Sequence, residues 1–132
     1  MSADLRLLFA WICVRLDQSP SRSLMDLSRE FRVSRMAIQK VVASMTNRKF
    51  SKFRDDILMA KLTRLLIARP LSSIQELSAG LGFRSVGSFA WQVKRASGAS
   101  PAQLRIRIAA ELAAQNGAVQ IHTSGEVACL HG

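Results

Sequence analysis

Basic side chains are the residues of this sequence with the clearest chemistry, because guanidinium and ammonium groups bind phosphate oxygens. The 132 residues include 19 Lys and Arg against 9 Asp and Glu, which gives a formal net charge of +10. Between Arg29 and Arg107 there are 16 basic and 4 acidic residues, a net charge of +12. The excess charge therefore lies in the middle of the chain, where it attracts polyanions such as nucleic acid or an anionic membrane surface. A simple basic tail is excluded.

Residues suited to catalysis or metal binding are few and lie near the C-terminus. His122, Cys129 and His131 have a spacing that matches no common metal site. No carboxylate pair or nucleophile with a base accompanies the histidines, so we expect no enzymatic activity, no cofactor and no metal ion. Cys13 and Cys129 lie far apart and form no disulfide framework, which favours the reducing cytoplasm.

The N-terminal segment from Leu5 to Leu16 is apolar but lacks the properties of a membrane anchor. Arg6 and Arg15 interrupt it, and it is too short to span a bilayer. No small-residue cleavage site follows, so it is not typical of a signal peptide. Its apolar residues recur at the spacing of one helix face and are expected to pack into a core. These residues are Leu5, Leu8, Phe9, Ile12 and Leu16.

Serine recurs where helices are expected to begin, because its hydroxyl can accept a hydrogen bond from a free backbone N–H of the first turn. Ser73 with Glu76 and Ser100 with Gln103 fit the reciprocal capping box, and Pro101 suits the first helical position. The other expected caps are Ser23, Ser34 and Ser85. The pattern predicts an all-α fold of seven helices and no strand. The predicted helices are 3–17, 24–31, 35–45, 51–68, 74–80, 86–97 and 101–113.

The order of elements repeats after about fifty residues. Leu27 corresponds to Leu77 fifty positions later, and the cap Ser34 corresponds to Ser85 after one further residue in the turn. The remaining pairs are Leu24 with Ile74, Phe31 with Leu81, Ile38 with Phe89, Val42 with Val93 and Asn47 with Gly98. Each copy is a short helix, a turn and a longer helix, an arrangement whose second helix can enter a DNA major groove.

A long helix is predicted to join the two copies. At 1.5 Å per residue it spans about 27 Å, close to the roughly 34 Å between successive major-groove faces. Its apolar residues face both copies, whereas Arg54, Lys61 and Arg64 are expected to face water or phosphate. The expected organisation is a first unit over residues 1–50, a linking helix over 51–68 and a second unit over 69–113. The polar composition of residues 114–132 favours a flexible tail.

The most specific pattern lies between Phe53 and Arg105. Gly82 precedes Phe83, and Ser100 with Pro101 follows later. The pattern also contains Ala60, Leu65, Leu66, Ile74, Leu77, Phe89, Lys94 and Gly98. The chain resembles the DNA-binding domain of AraC/XylS-type transcription regulators over roughly residues 5–107. The resemblance implies seven helices with two helix-turn-helix units joined by one long helix, and a sequence-specific regulator that binds double-stranded DNA. We expect it to act in the cytoplasm as a monomer.

The resemblance also implies which side chains read bases in the first unit. They are Arg35, Met36, Gln39 and Lys40. Gln39 can pair with adenine, Arg35 or Lys40 with guanine or phosphate, and Met36 can touch a thymine methyl. The alternative is that the basic residues bind only phosphate.

The matching residues of the second unit are Val86, Gly87, Ser88 and Trp91, which depart from the polar pattern common in the family. We expect weaker base readout there, through apolar contact with thymine methyls and close approach at Gly87. Trp91 can equally be a packing residue.

Phosphate contacts are expected from other basic residues around the two units. Near the first unit they are Arg48, Lys49 and Lys52, and near the second they are Arg84, Lys94, Arg95 and Arg105. If six to eight of these act together, affinity should fall by roughly three or four decades between 50 and 200 mM salt.

An alternative function is an interaction protein that docks on RNA polymerase or another regulator. Asp55, Asp56 or the first helix would form the docking surface in that case. A ligand-sensing domain does not fit in the 22 residues before Ser23, so we expect regulation by abundance and not by a small molecule.

Overall fold

The computed structural model describes residues 2–125, which form seven α-helices and contain no strand. The helices are α1 (Ser2–Gln18), α2 (Leu24–Phe31), α3 (Arg35–Thr46), α4 (Phe50–Ala68), α5 (Ile74–Gly80), α6 (Val86–Ser97) and α7 (Pro101–Gly125). The predicted all-α fold with two helix-turn-helix units and a long linking helix is confirmed. No helix in this range is long and apolar enough to cross a bilayer.

Local cap chemistry fixes the helix starts. The hydroxyls of Ser34, Ser73 and Ser85 each accept a hydrogen bond from a backbone N–H of the first turn, as predicted. Ser23 does the same and also forms a capping box with Asp26, whose carboxylate accepts from the Ser23 N–H at 2.9 Å. That backbone hydrogen bond lowers the pKa of Asp26 below its ordinary value.

Each unit has its own hydrophobic core. In the first, α1, α2 and α3 enclose Ile12, Leu16, Leu27, Ile38, Val41, Val42 and Phe50. In the second, α4 to α7 enclose Leu58, Leu62, Leu66, Leu77, Leu81, Phe89, Val93, Ala99 and Leu104. The repeat noted in the sequence places equivalent residues, such as Leu27 and Leu77, in the two cores. The helix α4 serves both cores, because Phe50 packs in the first and Leu58 in the second.

Two segments differ from their predicted structure. Leu5, expected in the core stripe of α1, is largely exposed, because Leu8, Phe9, Ile12 and Leu16 occupy the face that meets the core. The helix α7 continues beyond residue 113 to Gly125, since its alanine-rich sequence has high helix propensity and no proline interrupts it. The predicted flexible tail lies partly within this helix. Its last residues, 126–132, with Cys129 and His131, lie outside the described residues.

The two units touch at Gly82. The Oγ atom of Ser21 donates a hydrogen bond of 2.7 Å to the carbonyl of Gly82, whose φ of +86° is in the left-handed region. A β-carbon on Gly82 would collide with the hydroxyl of Ser19. Glycine is therefore required both by the backbone conformation and by the approach of the first unit.

Candidate nucleic-acid interface

The outer face of α3 carries the four base-reading residues predicted for the first unit. Ile38, Val41 and Val42 hold the inner face of the helix in the core. The opposite face exposes the predicted residues Arg35, Met36, Gln39 and Lys40. The structure therefore brings together, at the surface, side chains that can donate, accept and make apolar contacts.

The outer face of α6 has a different chemistry. Phe89, Gln92 and Val93 are buried, which leaves the predicted residues Val86, Gly87, Ser88 and Trp91 exposed. The Trp91 ring is 66% exposed and therefore is not part of the core. The backbone N–H of Ser88 donates to Oγ of Ser85, and the two hydroxyls lie 3.0 Å apart, so the Ser88 side chain takes part in the helix cap.

The seven predicted phosphate-binding residues fall into two groups. Four are exposed and form no ion pair within the described residues: Lys49, Lys52, Arg84 and Lys94. Three have partners within the chain. Arg48 lies 3.2 Å from Asp56, and this half-exposed pair is weak enough to exchange for a phosphate.

Arg95 and Arg105 make contacts that support the fold. The Nη2 atom of Arg95 donates to Asp55 at 2.9 Å, and its guanidinium lies 5.5 Å from the centre of the Trp91 ring. Arg105 is half-buried and donates to the carbonyl of Ser72. The phosphate role predicted for Arg95 remains a prediction. For Arg105, the contact with Ser72 leads us to expect that the residue supports the fold and does not bind phosphate.

The docking alternative requires Asp55 at the surface, but the structure buries this residue. It is only 6% exposed, because it shares the inner face of α4 with Leu58 and Leu62. The spacing of these three residues, three and then four positions apart, is a signal in the sequence that could have predicted this burial. Asp56 remains exposed.

Arg54 is also placed differently from the prediction, which had it facing water or phosphate. It is half-buried between the units and donates to the carbonyl of Arg22 at 3.2 Å. With its amide oxygen turned to Arg54, the buried Gln92 accepts from Nη2 at 3.3 Å and from Nε at 3.2 Å. Burial lowers the pKa of Arg54. Because the pKa of an arginine is far above neutral pH, the side chain stays charged.

These contacts give α6 a fixed place on the linking helix. Two residues of α6, Gln92 and Arg95, bond to two successive residues of α4, Arg54 and Asp55. Because α4 also packs against α3, the same helix sets the position of α3 and α6, the second helix of each helix-turn-helix unit, which we call the recognition helices. The distance between the two exposed faces is therefore determined by packing and not by a flexible linker.

A polar groove of about 420 Å³ lies between the units. Arg29 of α2 and Arg84 of the second unit line it, together with Ser88 and Gln92. Arg29 was not predicted as a phosphate contact. In the sequence it is one of the charged residues of α2, and nothing next to it indicates that it lies near the second unit. Arg29 and Arg84 line the same groove because the two units pack together.

A family model described as a helix-turn-helix domain matches residues 27–107. The match covers more than half of the chain and includes both recognition helices. The chain belongs to the AraC-type helix-turn-helix family. It is thus a DNA-binding transcription regulator, of a kind that is typically not enzymatic. No curated protein sequence matches the chain significantly.

Solved structures share this AraC-type fold. The C-terminal domain of AraT, a response regulator from Geobacillus stearothermophilus, is 21% identical with a TM-score of 0.62, and the match covers 78% of this chain and 84% of that one. The DNA-binding domain of AdpA, a global transcriptional factor in complex with a target DNA, is 23% identical with a TM-score of 0.60, covering 81% and 94%. A DNA-binding transcriptional dual regulator from Escherichia coli K-12 is 18% identical with a TM-score of 0.53, covering 74% and 88%.

Proposed function

We propose that this AraC-type protein binds specific DNA sequences in the cytoplasm and that its two units contribute unequally. The first unit discriminates bases, and the second mainly positions the protein on the duplex. The observation that carries this proposal is the difference between the exposed faces of α3 and α6. One face offers hydrogen-bonding side chains of several kinds, whereas the other offers apolar side chains, a glycine and a serine hydroxyl that takes part in the helix cap.

The face of α3 suits the major groove because its side chains match the edges of different bases. Gln39 can donate to and accept from adenine, and the guanidinium of Arg35 can donate two hydrogen bonds to guanine. Lys40 reaches guanine or a phosphate, and Met36 offers an apolar contact to a thymine methyl. Each good contact of this kind discriminates against a wrong base by about 1 to 3 kcal/mol.

The face of α6 has less capacity for such readout. Val86 and Trp91 can contact thymine methyls, but they have no donor and acceptor pair to match to one base. The hydroxyl of Ser88 already takes part in the cap with Ser85. Gly87 lets the α6 backbone come close to the duplex, which contributes position without sequence information.

Affinity in this proposal comes from phosphate contacts on both sides of the recognition helices. Lys49 and Lys52 supply them beside α3, and Arg84 and Lys94 supply them beside α6. Arg29 adds a charge at the groove between the units. The similar AdpA domain was solved with a target DNA, which makes a duplex the appropriate ligand for the test.

Selection of bound molecules from a pool of random duplexes, followed by sequencing, tests the proposal. We expect a motif in which one half is well defined and the other poorly defined. The variant Gln39→Ala should lose preference at one position of the defined half, while Lys94→Ala should weaken binding to all sequences alike. Gln75→Ala, an exposed glutamine on α5, is the matched control for Gln39→Ala and should leave the motif unchanged.

Two outcomes would contradict the proposal. Equal definition of both halves would show that α6 reads bases as well as α3 does. No enrichment of any sequence would favour the alternative, in which the helix-turn-helix fold serves mainly for docking on RNA polymerase or another regulator.

A further inference from the structure

The first helix has an exposed apolar stripe that the DNA interface does not use. Leu7, Trp11 and Val14 are 57%, 51% and 47% exposed. They lie four and then three positions apart, so they share one face of α1. Ile12 and Leu16 hold the opposite face in the first core. A continuous apolar stripe of this kind on a charged protein indicates an interaction surface.

We propose that the stripe pairs with the same stripe of a second copy of the chain, with the two α1 helices antiparallel around a two-fold axis at Trp11. In that arrangement the two Trp11 rings meet at the axis. Leu7 of each copy then lies against Val14 of the other. The surface is self-complementary, as a two-fold interface requires.

Charge complementarity identifies the occupant and the orientation. Arg6 and Asp17 flank the stripe on the same side of α1, with Ala10 between them. An antiparallel pair brings this side of one helix against the same side of the other, so Arg6 of each copy lies beside Asp17 of the other. A parallel pair would bring it against the opposite side, and Arg6 would not meet Asp17. Asp17 is available for this contact, because it is 68% exposed and lies only at the edge of ion-pair distance, 3.7 Å, from Lys61.

The charge of the whole chain also favours α1 as the place of contact. Two copies with a net charge of +10 each repel one another. The helix α1 is locally neutral, since Arg6 and Arg15 are balanced by Asp4 and Asp17. Two copies that meet through α1 therefore repel each other less than two copies that meet through a basic helix.

The pairing leaves the DNA interface free. The stripe lies on the side of α1 away from the first core, and that core includes the inner face of α3. Two copies therefore present two pairs of recognition helices at once. A single helix pair buries less than a standard protein interface, so we expect association in the micromolar range and not an obligate dimer.

Sedimentation equilibrium of the full chain without DNA, from about 1 to about 200 μM, tests the pairing. The mass should rise from 14.6 kDa toward twice that value as concentration increases. Leu7→Glu should keep the protein monomeric over the whole range. Leu71→Glu is the matched control, because Leu71 is an exposed leucine (95%) on another surface, and it should leave the mass curve unchanged. Circular dichroism checks that both variants are folded.

Charge exchange tests the antiparallel arrangement. Arg6→Asp should weaken association by about tenfold, and Arg6→Asp combined with Asp17→Arg should restore it, since opposite charges again face each other. Disulfide crosslinking provides a second measurement in a background with Cys13→Ser and Cys129→Ser. Trp11→Cys should crosslink to itself, whereas Leu7→Cys should crosslink to Val14→Cys and not to itself.

Three results would overturn the proposal. A monomer at all concentrations would exclude pairing through the stripe. Association that persists in Leu7→Glu would place the contact elsewhere. Self-crosslinking of Leu7→Cys, or no recovery in the charge exchange, would exclude the antiparallel pair.

Discussion

The guanidinium of Arg95 on α6 donates to the buried carboxylate of Asp55 on α4 at 2.9 Å. This contact joins a recognition helix to the linking helix and lies beside a second one, in which Gln92 accepts from Arg54. One end of the pair is exposed to solvent and the other is buried, since the side-chain exposures are 37% for Arg95 and 9% for Asp55. The pair therefore orients α6 without enclosing an isolated charge.

Replacing Asp55 should destabilise the protein and weaken DNA binding together. Asp55→Asn keeps the shape but removes the charge that holds Arg95, and we expect a loss of about 1 to 3 kcal/mol in the free energy of unfolding. The solvent-exposed end of Arg95 keeps the loss below that of a fully buried pair. Asp56→Asn, at the next residue, should cost less than about 0.5 kcal/mol because its pair with Arg48 is at the surface. Urea unfolding measures the free energy of unfolding of both variants. Equal losses in Asp55→Asn and Asp56→Asn would contradict the role given to Asp55.

Gly82 should be far less tolerant of alanine than Gly98. Both have positive φ, +86° and +79°, so alanine at either site incurs left-handed strain of about 1 to 2 kcal/mol. A β-carbon on Gly98 meets open space, whereas one on Gly82 meets the side chain of Ser19 in the first unit. We expect Gly82→Ala to lose about 1 to 3 kcal/mol more than Gly98→Ala, in line with overpacking costs.

A second substitution separates strain from collision at this site. Ser19→Gly in the Gly82→Ala background removes the hydroxyl that collides and should recover the additional loss but not the strain. The wild type, Gly82→Ala, Gly98→Ala and the variant with both Ser19→Gly and Gly82→Ala are compared by thermal or urea unfolding. If Gly82→Ala and Gly98→Ala lose the same stability, the close approach of the two units does not matter for stability.

The sequence predicts those features of the fold that depend on neighbouring residues. Caps such as Ser34 and Ser73 act within one turn, so residue type and spacing are enough to predict them. The repeat then predicts two equivalent units. The partners of Asp55 and Arg54 are not local, because Arg95 follows Asp55 by 40 residues, and no short pattern contains both members of such a pair.

The candidate sites follow the same division. The exposed faces of α3 and α6 could be predicted because a regular helix with a buried face defines its opposite face. The core face of α1 could be predicted from the spacing of Leu8, Phe9, Ile12 and Leu16, but the sequence does not tell whether its second apolar face packs against another part of the chain. Burial of Ile12 and exposure of Trp11 decide this in the structure.

The capping box at the start of α2 should make stability depend on pH in the acid range. The backbone hydrogen bond from Ser23 lowers the pKa of Asp26 in the folded protein. The stability from this group is therefore present above its unfolded pKa, about 3.9, and is lost as the pH falls through the lower folded value. Between pH 6 and pH 2.5, the free energy of unfolding measured with urea should fall less for Asp26→Asn than for the wild type.

The effect at Asp26 should be small, since the carboxylate is exposed. Glu111→Gln is the control, because Glu111 is exposed on α7 and forms no ion pair within the described residues. This control should change stability between the two pH values in the same way as the wild type. A pH response of Asp26→Asn identical to that of the wild type would show that the capping box contributes no acid sensitivity.

The salt dependence of DNA binding should distinguish basic residues that contact phosphate from those that hold the fold. Lys94→Ala removes an exposed ammonium from the last turn of α6 and should reduce the slope of log affinity against log salt by about 0.9. Lys61→Ala should leave the slope unchanged, because the Lys61 side chain is only 22% exposed and lies against α1. Arg105→Ala should lower the free energy of unfolding by about 1 to 3 kcal/mol, since its guanidinium donates to the carbonyl of Ser72. The slope of log affinity against log salt for Arg105→Ala should equal that of the wild type. A slope reduced in Arg105→Ala but not in Lys94→Ala would reverse this assignment and make Arg105 the phosphate contact.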